Sequence, residues 1–171
     1  MKKQILIVGS GFAGMWAAVS AARLADLTGS DDLQITVLAP RPELRIRPRF
    51  YEEQVATFAA PLSDLFAELN VHFIAGTAER IDAKQKSVWY RDSQGNVTLV
   101  AYDRLIVATG SQTRRPAIPG LAEFAFDIDQ LESAQHFENH LDSLATRPST
   151  PERNTVVVCG GGFTGIELAT E

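Results

Sequence analysis

The stretch Ile5-Leu6-Ile7-Val8-Gly9-Ser10-Gly11-Phe12-Ala13-Gly14 decides the fold of this chain. Its four apolar residues predict a short buried strand, and the Ala-rich residues 15–27 that follow predict a helix. In such a strand–turn–helix unit the first glycine permits the tight turn, the second lets the backbone approach a pyrophosphate, and the third lets the helix pack closely on the strand. We therefore interpret Gly9, Gly11 and Gly14 as a dinucleotide phosphate site, the alternative being a glycine-rich turn with a structural role only.

The same pattern returns at the other end of the chain, in residues 155–171. Val156–Cys159 predict a strand, Gly160, Gly162 and Gly165 occupy the three glycine positions of the loop, and a helix is expected to start near Ile166. Only a short helical stretch follows, with no second strand and no acidic residue to complete a nucleotide site. We expect this chain to be the N-terminal part of a longer polypeptide.

Composition excludes several classes of protein. The 171 residues are 45% hydrophobic with a formal net charge of -5, which suits one α/β domain and gives no reason to expect nucleic acid as a partner. No apolar run is long enough for a membrane span or a signal peptide, so a cytoplasmic location is predicted. The single cysteine and three scattered histidines predict no internal disulfide and no metal site.

The middle of the chain predicts a Rossmann-like α/β fold, truncated, in which a parallel sheet with helices carries an antiparallel β-meander. Polar and glycine-containing turns within residues 78–102 favour the meander, and residues 147–154, with two prolines and no apolar residue, predict a domain linker. Parallel strands are predicted at 33–38, 71–75 and 105–108, helices at 61–69 and 129–144, and an irregular segment at 39–51.

Four segments in this order resemble a known family. They are Gly9–Gly14, "YDRLIVATGS" at 102–111, "RRPAIPG" at 114–120 and Gly160–Gly165. They resemble the flavoproteins with two dinucleotide-binding domains, the FAD-dependent pyridine nucleotide-disulfide oxidoreductase superfamily. The resemblance implies that the first loop binds FAD, that Ala108, Thr109 and Gly110 pass close to it, and that the second loop binds NAD(P)H with Glu167 near the nicotinamide.

The resemblance also implies a division into domains. Residues 1–146 would be the N-terminal part of an FAD-binding domain, 147–154 the linker, and 155–171 the first strand and helix start of an NAD(P)H-binding domain whose remainder is absent. The chemistry would belong to the cofactors, so no catalytic side chain is expected in this chain. By itself the chain is expected to be inactive, although it would be part of an enzyme.

The subfamily is indicated by residues 41–69. The Cys-x4-Cys pair of the disulfide reductases is missing there, whereas Pro48–Tyr51 followed by "VATFAAPLSDL" resembles type II NADH dehydrogenases, which pass electrons from NADH through FAD to a quinone. The Arg47-Pro48 pair also resembles the ferredoxin-reductase group, which stays an alternative. By resemblance Arg47 and Pro48 would lie near the flavin, and a quinone would be the small-molecule electron acceptor.

One position departs from the pattern. The second strand of a dinucleotide unit normally ends in Asp or Glu, which accepts hydrogen bonds from the adenosine ribose, but Ala39 stands there. Three readings stay open: weaker FAD binding, a substitute acceptor in Glu43, or a 2'-phosphate of NADP held by Arg41. Arg41, Arg45, Arg47 and Arg49 form a cluster within nine residues. For Arg41, Arg45 and Arg49 we expect a solvated loop of mixed charge.

Other classes of function remain open at this stage. The chain could be a non-catalytic FAD/NAD(P)-binding module or an inactive fragment. An open sheet edge would favour homo-oligomers. Membrane contact would come only through an absent C-terminal part, which would put the intact protein peripherally on the inner membrane face. The choice between NADH and NADPH is not decided by these residues.

Overall fold

The structure is a computed structural model that describes residues 2–171. It divides into two compact units: the first comprises the chain up to Leu44 and Ala60–Gly110, and the second comprises Arg45–Ala59 and Ser111–Glu171. In chain order the elements are β1 (Lys3–Val8), α1 (Phe12–Thr28), β2 (Leu33–Ala39), β3 (Glu43–Arg45), β4 (Ala59–Pro61), α2 (Ser63–Glu68), β5 (His72–Ala75), β6 (Thr77–Asp82), β7 (Ser87–Arg91), β8 (Val97–Ala101), β9 (Arg104–Val107), α3 (Leu121–Phe124), α4 (Leu131–Leu144) and α5 (Phe163–Thr170). Short 3-10 helices cover Arg47–Arg49 and Val55–Phe58.

A four-stranded parallel sheet in the order β5-β2-β1-β9 is the centre of the first unit. Its two middle strands end in continuous apolar runs that are buried, as expected for a parallel sheet covered on both faces. This confirms the predicted Rossmann-like order, because consecutive parallel strands joined by a helix lie side by side. The carboxyl ends of these strands define the edge where the first glycine loop lies.

Two clusters of buried residues cover the sheet. On one side Ala18 of α1 and Phe66 of α2 join the strand residues Ile7 and Val37. On the other, Val88 of β7 packs with Leu6, Val8 and Leu38. The predicted meander is confirmed: β6, β7 and β8 form an antiparallel three-stranded sheet.

The second unit has its own core. Phe50 follows the first 3-10 helix, and Val55 and Phe58 belong to the second. They pack with Ile128, before α4, and with Leu131 and Ala134 in its first turn. A helix with one apolar stripe needs such a partner to bury it. The aromatic residues of segment 45–59 therefore fold against the one long helix of this unit.

Three predictions about elements were wrong. The predicted helix at 61–69 starts only at Ser63, because Pro61 lies in β4 and the amide of Leu62 donates to the carbonyl of Pro42 at 2.8 Å. The segment at 39–51 is not irregular throughout, since it contains β3 and a 3-10 helix. No strand forms at 156–159, because no strand among the described residues pairs with it, and Val157 is 77% exposed. The predicted boundary at 147–154 is not one of the divisions between the compact units and stays a prediction about domains.

Candidate functional site

The first glycine of the N-terminal loop lies where only glycine fits. Gly9 has φ +111°, and a Cβ on it would lie 2.1 Å from the carbonyl oxygen of Ala108. Its amide donates to the carbonyl of Leu38 at 2.9 Å, and the amide of Ala108 donates to the carbonyl of Val8 at 2.8 Å. The end of β1 is thus fixed between the ends of β2 and β9.

The third glycine closes the loop onto the helix. A Cβ on Gly14 would lie 1.9 Å from the carbonyl oxygen of Gly9 and 3.6 Å from the Cβ of Ala108. Real Cβ atoms do not approach a backbone oxygen so closely, so a side chain here would push α1 away from the strand. Of the predicted residues, Gly9, Gly14, Ala108 and Thr109 lie together, with Gly110 following in the left-handed region at φ +72°.

The second glycine differs from the other two, because no protein atom would contact a side chain at that position. Gly11 is the N-cap of α1, with an ordinary φ of -65°, and a Cβ on it would have no atom within 4 Å. The first turn of α1 carries no acidic residue. The positive end of the helix dipole therefore meets open space, which suits a phosphate group.

A residue that sequence reasoning missed connects this loop to the segment after β2. Ser10 is 9% exposed, and its hydroxyl lies 3.0 Å from the carbonyl oxygen of Arg41 and 3.1 Å from that of Glu43. The signal was available in the sequence, since a small polar residue between two loop glycines can reach neighbouring backbone. Ala39, at the end of β2, is 3% exposed and offers no side-chain acceptor.

Arg47 belongs to a different group of residues, within the second unit. Its guanidinium donates to the carboxylate of Asp129 and to the carbonyl oxygen of Ser111, the latter at 3.0 Å. The same carboxylate accepts from the amide of Thr113 at 3.0 Å and from the side chain of Gln130 at 2.9 Å. Pro48 follows in the 3-10 helix. The predicted approach of Arg47 and Pro48 to a flavin stays a prediction.

These contacts set the ionisation of Asp129. Partial burial alone would raise its pKa, but the hydrogen bonds from Gln130 and Thr113, together with the charge of Arg47, outweigh that effect and hold the pKa below the usual value. The carboxylate is therefore charged in the folded protein, and it joins Arg47 to residues 111–113.

The rest of the arginine cluster is more ordered than a solvated loop. Arg45 donates to both oxygens of Glu132, at 2.9 and 2.8 Å. Arg49 pairs with Glu52 and lies 4.2 Å from the centre of the Phe58 ring. Expecting a solvated loop was wrong because Glu132 is far from the cluster in sequence and its pairing is set by the tertiary fold.

The second glycine loop has the backbone shape of the first. Gly160 has φ +127°, Gly162 is the N-cap of α5 with φ -76°, and a Cβ on Gly165 would lie 2.4 Å from the carbonyl oxygen of Gly160. As at Gly11, a Cβ on Gly162 would have no atom within 4 Å. Glu167 lies in α5 and is half-buried.

Residues 2–171 offer neither a metal site nor a membrane-spanning helix. The described His, Cys, Asp and Glu side chains form no group of three or more that could hold a metal ion. Within the same residues, none of the helices has both the length and the apolar character needed to cross a membrane.

Comparison with known proteins agrees with the two loops. A family model described as pyridine nucleotide-disulphide oxidoreductase matches residues 3–171. An NADH dehydrogenase-like protein of Mycobacterium tuberculosis is 40% identical over 172 residues, a match that covers 98% of this chain and 42% of the relative. A demethylphylloquinone reductase of Synechocystis is 30% identical over 175 residues, covering 99% of this chain and 43% of the relative. The chain thus spans less than half the length of these relatives.

A solved structure shares the fold. The NDH2 of Plasmodium falciparum, solved in complex with RYL-552, superposes with a TM-score of 0.81 at 22% identity, covering 98% of this chain and 36% of that one.

Proposed function

The chain belongs to the pyridine nucleotide-disulphide oxidoreductase family, and from that premise we propose that it supplies the dinucleotide-binding loops of an oxidoreductase that uses FAD, NAD(P)H and a quinone. The observation that carries the proposal is the first loop, where two glycines fix the backbone and Gly11 leaves the end of α1 open. A pyrophosphate fits such a helix terminus because backbone amides and the helix dipole both favour negative charge.

The residues of the first unit have separate tasks in this proposal. Gly9 and Gly14 keep the turn tight against Ala108, and Gly11 admits the FAD pyrophosphate to the amides of the first helical turn. Ala108, Thr109 and Gly110 form one wall of the same region, without a bulky side chain. No general acid, general base or nucleophile from this chain is required.

The second loop is proposed to hold NAD(P)H. Gly160 and Gly165 repeat the close contact of Gly9 and Gly14, and Gly162 leaves the start of α5 open. Glu167 would lie near the nicotinamide, and Arg47 and Pro48 near the flavin. When bound, the two cofactors would supply the redox chemistry, which is hydride transfer from the reduced nicotinamide to the flavin and electron transfer from the flavin to the acceptor.

A quinone is favoured over a dithiol as the acceptor. Electron transfer to a dithiol needs two neighbouring cysteines, and these 171 residues contain one, Cys159. The Synechocystis relative is a demethylphylloquinone reductase, so the acceptor of that protein is a quinone. Both facts support a quinone, with ferredoxin-type electron transfer as the competing assignment.

Titration of FAD into the purified chain, followed by flavin fluorescence, tests the proposal. We expect saturable binding in the micromolar range, about -8 kcal/mol. Gly11→Asp should abolish it: aspartate is a good N-cap and keeps the helix folded, but its carboxylate would occupy and repel the pyrophosphate position. Gly161→Asp adds the same charge at another open glycine and should bind FAD like the wild type.

Three results would each contradict a part of the proposal. Equal FAD affinity in Gly11→Asp and wild type would mean that the first loop is not the flavin site. No binding by a folded wild-type chain would refute FAD binding by these residues. Quinone-dependent oxidation of NADH by the chain alone would contradict the expectation that it is inactive by itself.

A further inference from the structure

The adenosine end of the proposed FAD site lacks the acid that dinucleotide units normally place at the end of the second strand. Ala39 holds that position, 3% exposed, and its carbonyl oxygen already accepts the amide of Gly76 at 3.0 Å. A ribose has two adjacent hydroxyls, and the usual strand-end carboxylate accepts hydrogen bonds from them. A ribose bound here therefore needs another acceptor for its hydroxyls within the first unit.

The segment after Ala39 lies against the phosphate loop. The hydroxyl of Ser10 is within hydrogen-bond distance of the carbonyl oxygens of both Arg41 and Glu43. Because Ser10 stands between Gly9 and Gly11, this contact brings residues 41–43 beside the loop that would hold the pyrophosphate. In FAD the adenosine ribose is attached directly to that pyrophosphate.

Glu43 is the one acidic residue between Leu33 and Tyr51. Its side chain is 23% exposed, so it is partly enclosed but still open to a ligand. The guanidinium of Arg41 lies 3.9 Å from the carboxylate. A charged acceptor in this position has the chemistry of the missing strand-end acid.

We propose that the Glu43 carboxylate recognises the adenosine ribose hydroxyls in place of the acid missing at position 39. The hydroxyl of Ser10 positions this residue by donating to its backbone carbonyl. This rests on the proposed binding of FAD at the first loop. Glu43 is then a specificity-determining residue for an unphosphorylated ribose, and Ser10 is a positioning residue.

The test uses ADP, 2'-deoxy-ADP and 3'-deoxy-ADP as competitors of FAD bound to the purified chain. The wild type should prefer ADP over each deoxy analogue by about tenfold, the value expected for loss of a charge-assisted hydrogen bond. Glu43→Gln should reduce that preference to about twofold or less, because a neutral amide has one acceptor oxygen instead of two. Ser10→Ala should reduce it as well while leaving the carboxylate in the chain.

Glu68→Gln is the matched control, since it removes one carboxylate from an exposed position of α2 in the same unit. It should keep the full preference for ADP. If Glu43→Gln and Ser10→Ala also keep it while FAD still binds, the role of Glu43 is refuted and FAD binding at the first loop stands. A wild type that binds FAD without any preference for ADP refutes it equally. If the folded wild type binds neither FAD nor ADP, both proposals fail together.

Discussion

At the scale of single residues, steric contact restricts the first and third glycines of the N-terminal loop but not the second. A Cβ on Gly9 or Gly14 would clash with a backbone carbonyl oxygen, whereas a Cβ on Gly11 would have no atom within 4 Å. The order of the three glycines in the sequence predicts this difference. The structure adds the atoms that cause it, the carbonyl oxygens of Ala108 and Gly9.

Substitutions in this loop should therefore affect stability unequally. Gly14→Ala places a Cβ against the carbonyl of Gly9 and should lower the free energy of unfolding by about 1–3 kcal/mol, the usual cost of overpacking. Gly11→Ser has room and supplies an N-cap hydroxyl, so its unfolding free energy should equal or exceed that of the wild type. Urea denaturation followed by circular dichroism measures both. Equal stability of the two variants would contradict the close contact at Gly14.

The core of the first unit depends strongly on Phe66. Its side chain is 2% exposed and stacks on Phe73 at 6.1 Å between ring centroids. We expect Phe66→Ala to cost about 3–5 kcal/mol, since a large cavity remains beneath the sheet. Phe124→Ala, at a position 74% exposed, should change stability by less than about 0.5 kcal/mol. Thermal unfolding of the two variants side by side gives the comparison.

At the scale of elements, Asp129 lies two residues before α4 and accepts hydrogen bonds from Arg47 and from the amide of Thr113. Because its pKa is lowered in the folded state, its contribution to stability is present above the unfolded pKa, near 4, and is lost as pH falls through the lower folded value. Asp129→Asn should therefore lose about 1 kcal/mol at pH 7, a modest figure because the group is partly solvated. The difference from wild type should shrink below about pH 4.

Urea unfolding of wild type and Asp129→Asn at pH 7 and at about pH 3 measures this difference. Asp26→Asn, on the exposed face of α1, is the control and should stay close to wild type at both pH values. An equal loss of unfolding free energy for Asp129→Asn at the two pH values would show that the charge of Asp129 does not stabilise the fold.

The elements also differ in how well sequence alone anticipated them. Strands β1, β2 and β9 could be predicted because each contains its own apolar run. The meander could be predicted because polar and glycine residues mark its turns. The strand at 156–159 has an equally apolar run, yet it has no pairing partner among the described residues, and a run of that kind does not form a ladder alone. The pairing of Arg45 with Glu132 was likewise invisible, since it joins residues 87 positions apart.

Amide hydrogen exchange should reproduce this contrast between elements. Peptides covering residues 4–8 of β1, hydrogen-bonded to β2 and β9, should exchange most slowly. Peptides covering 155–162 should exchange within the shortest times measured, because those amides belong to no strand or helix. Slow exchange at 155–162 would reveal a partner for that segment and would contradict the structure.

At the scale of the whole molecule, ligand binding should raise the stability of the folded state. A ligand that binds only the folded state raises the free energy of unfolding by about 2.7 kcal/mol at a hundredfold excess over Kd. FAD should therefore raise the Tm of the wild type and of Gly162→Asp, and should not change the Tm of Gly11→Asp. NADH should raise the Tm of the wild type and of Gly11→Asp, and should not change the Tm of Gly162→Asp. A loss of both shifts in either variant would mean that the two loops are not separate sites.

The second glycine loop adopts the shape of the first although the residues before it belong to no sheet. Among the described residues, no β-ladder before the loop is needed for this shape. A segment with that property can be copied as a unit: duplication of a short coding stretch would carry a ready-made anion cradle to a new place in a polypeptide before any supporting sheet had evolved around it. The same autonomy makes this hexapeptide a candidate for grafting onto the start of an unrelated helix.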